Sequence, residues 1–530
     1  MKDLKSTLYA DDSNYILTTA HSIVNLFKEL QRFEEASGCN INHKKSVGLT
    51  LADAQIPNLP YPIRWNPPEG VKMLGITFFQ DPLKTAKATW NSIIERIQHR
   101  AASLSSRRLS FRGKTIIINS LLLSKCWHAA IVIPALKEHV EKIEDIVYNY
   151  LFNYKTPHKP KEEVLTLLLK DGGIGIKDFQ FQQKSLRLNR VRLILDPAKN
   201  SPWIRLARLY MADDICRWHT DWPFLNTPDV PKIDFNSPES SSLRSKIQPY
   251  HRELINFLRD HKRPFLKLKD PSTASIYQLL LKHRTPRISI SGRNYWNRET
   301  QQALPWSRIW KTTYSSLDRS HYLDVYYKFL HNAHPTGNNL LQSTTRNYDT
   351  KCPTCHVFET TLHCFADCTF PRTIWNRYFY FYSHMQGTQN LTYGDILFSL
   401  KLPTHKHKRL LILTITNIIM SEIWRARCAH KKDQIPTNPN LSTYKINARI
   451  KRVHWAYFKC AHNYYTKLCL PSPICRVDNN QLIFELPTAE TFTIYGEESD
   501  FTSDDYFHST SDTTTTTTTT TGYNTTATTP

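Results

Sequence analysis

Leu8-Tyr9-Ala10-Asp11-Asp12 places two adjacent carboxylates behind an aromatic ring, and the reading of this run decides what the first eighty residues are. Neighbouring side chains on a regular strand point to opposite faces, so two adjacent acids serve one metal ion more easily at a turn. The flanks supply one. Thr7–Tyr9 and Tyr15–Leu17 have strand character and Ala10–Asn14 is acidic and turn-prone, which predicts a hairpin with Asp11 and Asp12 at its tip. Two acids in a turn are most often merely solvated, so the run takes its meaning from the segments downstream of it. A two-metal site needs further carboxylates converging from other strands to clamp both ions. With nothing before residue 1 to supply them, the sequence reads as the back half of an enzyme.

Beyond the hairpin, Ile23, Phe27, Leu30 and Phe33 recur at helical spacing up to Gly38, which predicts a buried helix under the hairpin with a glycine stop. Val71–Ile76 reads as a short strand. Trp90–Ser105 and Thr115–Tyr150 read as amphipathic helices around the basic turn Arg107-Arg108-Leu109-Ser110-Phe111-Arg112-Gly113-Lys114. Asp171-Gly-Gly-Ile-Gly-Ile176 opens a basic helix; it lacks the endings of the phosphate-binding glycine loops, so a tight turn is the better reading. Between about 220 and 300 the signal thins into a Ser- and Pro-bearing linker, and a last helical region spans 301–470. There, Trp306, Trp310, Tyr322, Tyr326 and Phe329 fall at roughly helical spacing and read as core.

The chain has 530 residues, with 40% apolar residues and 12% aromatics, enough for several buried cores. Residues 496–530 carry six acids, no Lys or Arg and nine consecutive threonines (Thr513–Thr521), a composition that offers nothing to bury and predicts a disordered tail. The whole chain carries +23, and outside that tail the basic excess is larger and spread along the length, which points to a polyanionic partner, RNA or DNA. Eleven irregularly spaced cysteines without a signal peptide argue for a reducing compartment, nucleus or cytoplasm. The longest apolar stretch, Thr115–Leu136, is interrupted by Asn119, Lys125 and His128 and falls short of a membrane span, so no membrane partner is expected.

Thiols are therefore free to bind metal. Cys352, Cys355, His363 and Cys368 give the spacing C-x2-C-x7-H-x4-C. A C-x2-C knuckle lets two thiolates reach one ion from a tight turn, and a later His/Cys pair closes a tetrahedral shell with no open position, the arrangement of structural zinc. Three alternatives stand beside this set: Cys364 next to His363, His356 next to the knuckle, and the upstream pair His331 and His334.

Taken in order, these segments resemble the C-terminal part of the open reading frame of LINE-type (non-LTR) retrotransposons: the end of a reverse transcriptase palm, its thumb, and the zinc-binding region that comes after it. The resemblance is carried by Tyr9-Ala10-Asp11-Asp12, by Ala36-Ser37-Gly38-Cys39-Asn40-Ile41-Asn42-His43-Lys44-Lys45-Ser46, by Leu74-Gly75-Ile76, by Leu109-Ser110-Phe111-Arg112-Gly113-Lys114, by the glycine turn at 171–176, and by the cysteine cluster with Glu359-Thr360 before its histidine. It implies that Asp11 and Asp12 sit at a magnesium centre with Tyr9 on the primer-template side. It places Lys45, or its neighbour Lys44, near the leaving pyrophosphate, and the Leu74 strand in the primer grip. It assigns Arg107, Arg108, Arg112 and Lys114 to the backbone of the template-primer duplex. Trp375 would pack the helix after the zinc region, and Trp424, near Arg425 and Arg427, resembles a later helix of the family.

The family carries an earlier catalytic aspartate, fingers and usually an endonuclease upstream of the Tyr-Ala-Asp-Asp box. Without them the expectation is an RNA-directed DNA polymerase remnant that binds RNA and DNA, does not polymerise alone, and requires the missing N-terminal part as partner. A zinc-containing nucleic-acid-binding protein without chemistry, or an inert transposon relic, is the competing expectation. The expected fold is α+β and mostly α-helical: a partial palm at 1–80, a helical thumb at 81–155, a connector at 156–300, a small helical zinc-binding region at 301–430, a helical extension at 431–495 and the tail at 496–530.

Overall fold

The computed structural model describes residues 6–9, 12–17, 19–50, 63–107, 109–152, 160–195, 199, 201, 204, 272–316, 323–343, 349–386, 391–460, 475–478, 481–484 and 486. They are mostly helical, with small two-stranded sheets. The chain divides into two compact units, one of Met1–Leu151, Pro160–Tyr314 and Arg319–Asp324, the other of Phe152–Lys159, Ser315–Asp318 and Val325–Pro530. The expected tail at 496–530 lies outside the described residues, as does most of the linker. Among the described residues no helix is long and apolar enough to cross a membrane.

In the first unit, β1 (Ser6–Tyr9) and β2 (Asp12–Tyr15) pair antiparallel with Tyr9 opposite Asp12. The second strand therefore begins at Asp12 itself. Helix α1 (Ala20–Ser37) starts where the Thr19 hydroxyl accepts from the Ser22 amide, and ends at Gly38 in the left-handed region, whose amide donates to Glu34 O at 2.9 Å. The expectation of a buried helix is corrected: of its apolar row only Phe27 is buried, while Phe33 is 54% exposed. The small sheets at this end leave that row little to pack against.

Val71–Ile76 is likewise not one strand. It is the hairpin β5 (Val71–Met73) and β6 (Ile76–Phe78), which comes after the short parallel pair β3 (Val47–Gly48) and β4 (Arg64–Trp65). Leu74 and Gly75, both at positive φ (48° and 81°), form the two-residue turn that right-twisted strands favour. An apolar run with one glycine reads as strand until the backbone sign of Leu74 is known.

Helix α2 (Pro82–Leu104) is capped by Asp81, whose carboxylate accepts from the Leu83 amide at 2.8 Å, with Pro82 in the first turn. Its buried stripe, Trp90, Ile93, Ile94 and Ile97, forms one wall of the core. The next long amphipathic stretch is broken into α3 (Phe111–Ile117), a π turn at Ile118–Leu122, α4 (Trp127–Val132) and α5 (Lys137–Phe152). Pro134 explains the last break, since it can neither donate into a helix nor follow helical backbone easily. Trp90 donates to Pro134 O at 3.2 Å and meets Phe179 edge-on. Beyond a short turn α6 (Glu162–Leu165), the glycine segment is the tight turn expected of it: a Cβ on Gly173 would lie 2.0 Å from Leu167 O. Then α7 (Phe179–Leu195) packs on α8 (Thr273–Arg284), joined by an Asp178–Arg284 ion pair. Helices α9 (Ser291–Glu299) and α10 (Trp306–Thr312) complete the unit.

The second unit contains α11 (Leu323–Leu330) from Val325 onward, α12 (Gly337–Ser343), α13 (Thr369–Gln386), α14 (Tyr393–Leu397), the long α15 (Lys406–Asp433), α16 (Pro439–Cys460) and the hairpin β7 (Cys475–Asp478) and β8 (Gln481–Phe484). Helices α13, α15 and α16 pack on one another. Their shared core holds buried polar pairs: Tyr382 Oη with Thr416 Oγ1 at 2.9 Å, and Tyr378 donating to Asn447 Oδ1 at 2.6 Å. Trp306, Trp310, Tyr326 and Phe329 are buried, as their spacing predicts; Tyr322 lies outside the described residues.

Candidate metal centre

The turn before α13 is built from backbone first. Lys351 and Phe358 form an antiparallel bridge, the Cys352 amide donates to Val357 O at 2.7 Å, and His356 turns the chain with φ at 60°. This curls Cys352-Pro-Thr-Cys355 so that the Thr354 amide donates to Cys352 Sγ at 3.4 Å, the local geometry of a metal knuckle. The chain then passes Glu359 and enters a helical turn capped by Thr360, whose hydroxyl accepts from the His363 amide at 3.0 Å. A π turn spans His363–Asp367, and the Cys368 amide donates back to His363 O at 3.0 Å. The extra residue of a π turn rotates the helix face, and here it lets His363 and Cys368 address the same point.

The four donor atoms of Cys352, Cys355, His363 and Cys368 lie within 4.8 Å of one another. Cys352 Sγ is 3.8 Å from Cys368 Sγ, which is 3.9 Å from Cys355 Sγ, and Cys355 Sγ is 3.1 Å from His363 Nε2. Sulfurs bound tetrahedrally at a Zn–S length of about 2.3 Å stand about 3.8 Å apart. The donor set is thus already at coordination spacing, and three soft thiolates with one imidazole suit zinc. Protonation obeys the same geometry. The Cys368 thiol beside it, with added donation from His363 and backbone amides, holds Cys352 well below the ordinary thiol range despite burial. Cys368 is pushed up because it keeps the shared proton, and Cys352 raises His363.

The alternatives left open by sequence separate here. Cys364 is outside the cluster, buried on the other side of the turn, with its thiol raised by burial. His356 also stays outside. His334 is buried, with Nε2 2.8 Å from Val325 O and its ring 4.3 Å from that of Trp424; His331 packs on Tyr327. These histidines are core.

The residues that support this centre stand in the sequence resemblance; how they pair does not. Glu359 is fully buried; its Oε1 accepts from Arg427 Nε at 2.9 Å, its Oε2 from Arg427 Nη2 and from the Gly337 amide at 3.0 Å. Arg427 also lies over the Trp424 ring, 4.9 Å from its centroid, and Trp424 stacks on Phe365. Trp375 is buried and donates to Phe365 O at 2.8 Å. The sequence signals were Glu359-Thr360 before the histidine, Trp375, and Trp424 beside Arg425 and Arg427, none of which names its partner.

The other expected site residues are more dispersed. Asp11 and Arg108 lie outside the described residues, and of Tyr9 and Asp12 only the strand pairing is described. Lys45 is exposed in the turn after α1, its amide donating to Asn42 Oδ1 at 3.1 Å. Arg107 and Arg112 are exposed. Lys114 is a correction: it is 6% exposed, and its ammonium donates to Leu151 O at 2.9 Å and Tyr150 O at 3.3 Å, closing the last turn of α5. Lys114, four residues past the Ser110 cap, faces inward here, away from the duplex contact that the resemblance implies. In the same motif Ser110 caps α3 and Phe111 is buried, which leaves Arg112 as its outward-facing cation.

No protein-family model matches the chain. Over 207 residues, 38% of its length, it is 27% identical to the transposon TX1 uncharacterized 149 kDa protein of Xenopus laevis. The matched part spans 15% of that protein's length.

Proposed function

We propose that this chain is a transposon-derived protein of reverse transcriptase ancestry whose second unit carries a structural zinc ion on Cys352, Cys355, His363 and Cys368, and which binds nucleic acid. The observation that carries the reading is the Cys3His cluster at coordination spacing, joined to the likeness to a transposon protein. Four protein ligands leave no position for water or substrate, so the ion acts through folding rather than chemistry. A zinc-held turn beneath the junction of α11, α13 and α15 gives a rigid base for a basic surface.

In this reading residues 1–80 descend from a palm, 81–155 from a thumb, 156–300 from the connector and 301–430 from the zinc-binding region. Arg107, Arg108 and Arg112 contact the phosphates of a template-primer duplex, which positions it without reading sequence. Asp11 and Asp12 retain the carboxylates of a magnesium site; polymerisation needs a further carboxylate beside them.

Two assays on the same zinc-loaded preparation test this. Elemental analysis is expected to find one zinc per chain, lost in Cys352→Ser/Cys355→Ser; a metal-free native protein would refute the zinc reading. Primer extension on an RNA template is expected to give no product. Template-dependent synthesis abolished by Asp11→Ala would show that the carboxylate site is complete and working.

A further inference from the structure

Helix α16 contains no acidic residue and five Lys or Arg: Lys445, Arg449, Lys451, Arg452 and Lys459. Its inner face is closed by Thr443, Ile446, Ile450 and His454, all buried. That face is pinned: Arg377 donates to Thr443 Oγ1 at 2.8 Å and to Asn440, and Tyr378 bonds Asn447. At 3.6 residues per turn, Tyr444, Ala448, Lys451 and Trp455 then fall in one narrow stripe on the opposite face, with Arg452 on its flank. Exposure agrees. Tyr444 is 56% and Trp455 51% exposed, and Ala448, Lys451 and Arg452 are exposed between them.

Two large, half-exposed aromatic side chains about 16 Å apart along the helix, with cations between them and no acid on the helix, form an unusual surface. The docking patch of a protein partner is depleted of lysine at its centre, whereas here Lys451 stands between the two rings. Glu422 of the packed helix α15, whose charge reaches Lys445, is engaged by Arg425 at 2.5 Å. The stripe is therefore complementary to a polyanion that also offers flat apolar faces. Bases in a duplex are stacked on one another and cannot lie on these rings; unpaired bases can.

We propose that this face of α16 binds single-stranded nucleic acid, with Tyr444 and Trp455 as stacking platforms and Lys451 and Arg452 as phosphate contacts. The assignment rests on the proposed nucleic-acid binding and adds to it a place and a strand preference. Stacking on an aromatic side chain tolerates any base, so the surface grips strand without selecting sequence.

The test is fluorescence anisotropy of a labelled mixed-sequence single strand, and of the matching duplex, titrated with the zinc-loaded full chain. Tyr444→Ala/Trp455→Ala is expected to weaken single-strand binding at least ~10-fold while duplex binding changes much less. Lys451→Gln/Arg452→Gln is expected to flatten the salt dependence of single-strand binding by roughly 1 to 1.5 log units per log unit of salt. All four side chains face outward, so zinc content and circular dichroism should stay at the parent values. If the parent binds single strands and neither variant changes that, this surface is wrong and the general reading survives. If the parent binds neither strand form, both fall. Loss of self-association in the aromatic variant with unchanged single-strand binding would assign the face to a second copy of the chain and overturn the proposal.

Discussion

Glu359 and Arg427 lie 68 residues apart in sequence and form a buried ion pair, with Glu359 Oε1 2.9 Å from Arg427 Nε. The carboxylate sits between the knuckle cysteines and His363, and the guanidinium rides on α15 over Trp424. Through this pair, the turn that carries the Cys3His cluster is tied to the longest helix among the described residues of its unit. Truncating one member of a buried pair costs ~3–5 kcal/mol when the other charge is left uncompensated; here Lys431, 3.9 Å from Glu359 Oε2, remains as a weaker partner, which sets that range as the upper limit. Arg427→Met is therefore expected to destabilise the second unit by up to that much in denaturant titration, with weaker zinc retention. Glu359→Gln/Arg427→Met together should cost clearly less than Arg427→Met alone, because no lone charge remains.

Zinc removal should act on folding before anything else. Ligand binding to a site that exists only in the native state is folding free energy, on the order of 10 kcal/mol for structural zinc. A strong chelator is expected to lower the thermal midpoint of the second unit and expose buried Trp375, read as a shift of tryptophan emission to longer wavelength. Acid should mimic the chelator, since thiolates must be deprotonated to hold the ion. Unchanged melting in chelator would argue that the turn stands on its hydrogen bonds alone.

Lys114 and Arg112 should part company. Lys114→Met removes the donor to the Tyr150 and Leu151 carbonyls inside the first unit and is expected to cost ~1–3 kcal/mol without a specific loss of duplex affinity in the folded fraction. Arg112→Ala should leave stability nearly unchanged and reduce the salt slope of duplex binding by about one unit. Equal effects of the two substitutions on binding would return Lys114 to the surface role that its charge suggests.

Glu144 on α5 gives the first unit a pH dependence. Burial, with Asp178 and Glu162 nearby, pushes its carboxyl up from 4.5 to about 7. A raised folded value means tighter proton binding when folded, so its contribution is fully present below about 4.5 and lost as pH rises through about 7. Glu144→Gln is expected to keep the stability of the acid form across that window; the difference between variant and parent denaturation midpoints, measured across pH, reports it. A parallel pair of curves would show that the glutamate is solvated.

Some of this was legible in the residues alone. The end of α1 obeyed local chemistry: Gly38 stops it, because a cap is satisfied within a few residues of chain, whereas the start of α3 at Ser110 lay inside the stretch that reads as a basic turn. The clustering of Cys352, Cys355, His363 and Cys368 was legible for the same reason, since knuckle and π turn are short-range structures. The predominance of helix came from periodicity, as did the burial of Trp306, Trp310, Tyr326 and Phe329. What sequence left open was everything set by direction or by distant partners. The spacing favoured Cys368 with Cys364 left as an alternative, and only the turn between them shows which sulfur reaches the cluster. Lys114 and Arg112 are two cations in one motif, and the packing of α5 decides that one is inside. Leu74 reads as strand until its backbone turns left-handed. The Arg427 partner of Glu359 and the outward stripe of α16 were invisible, because burial is a property of what packs against a residue, and that is settled only when the helices come together.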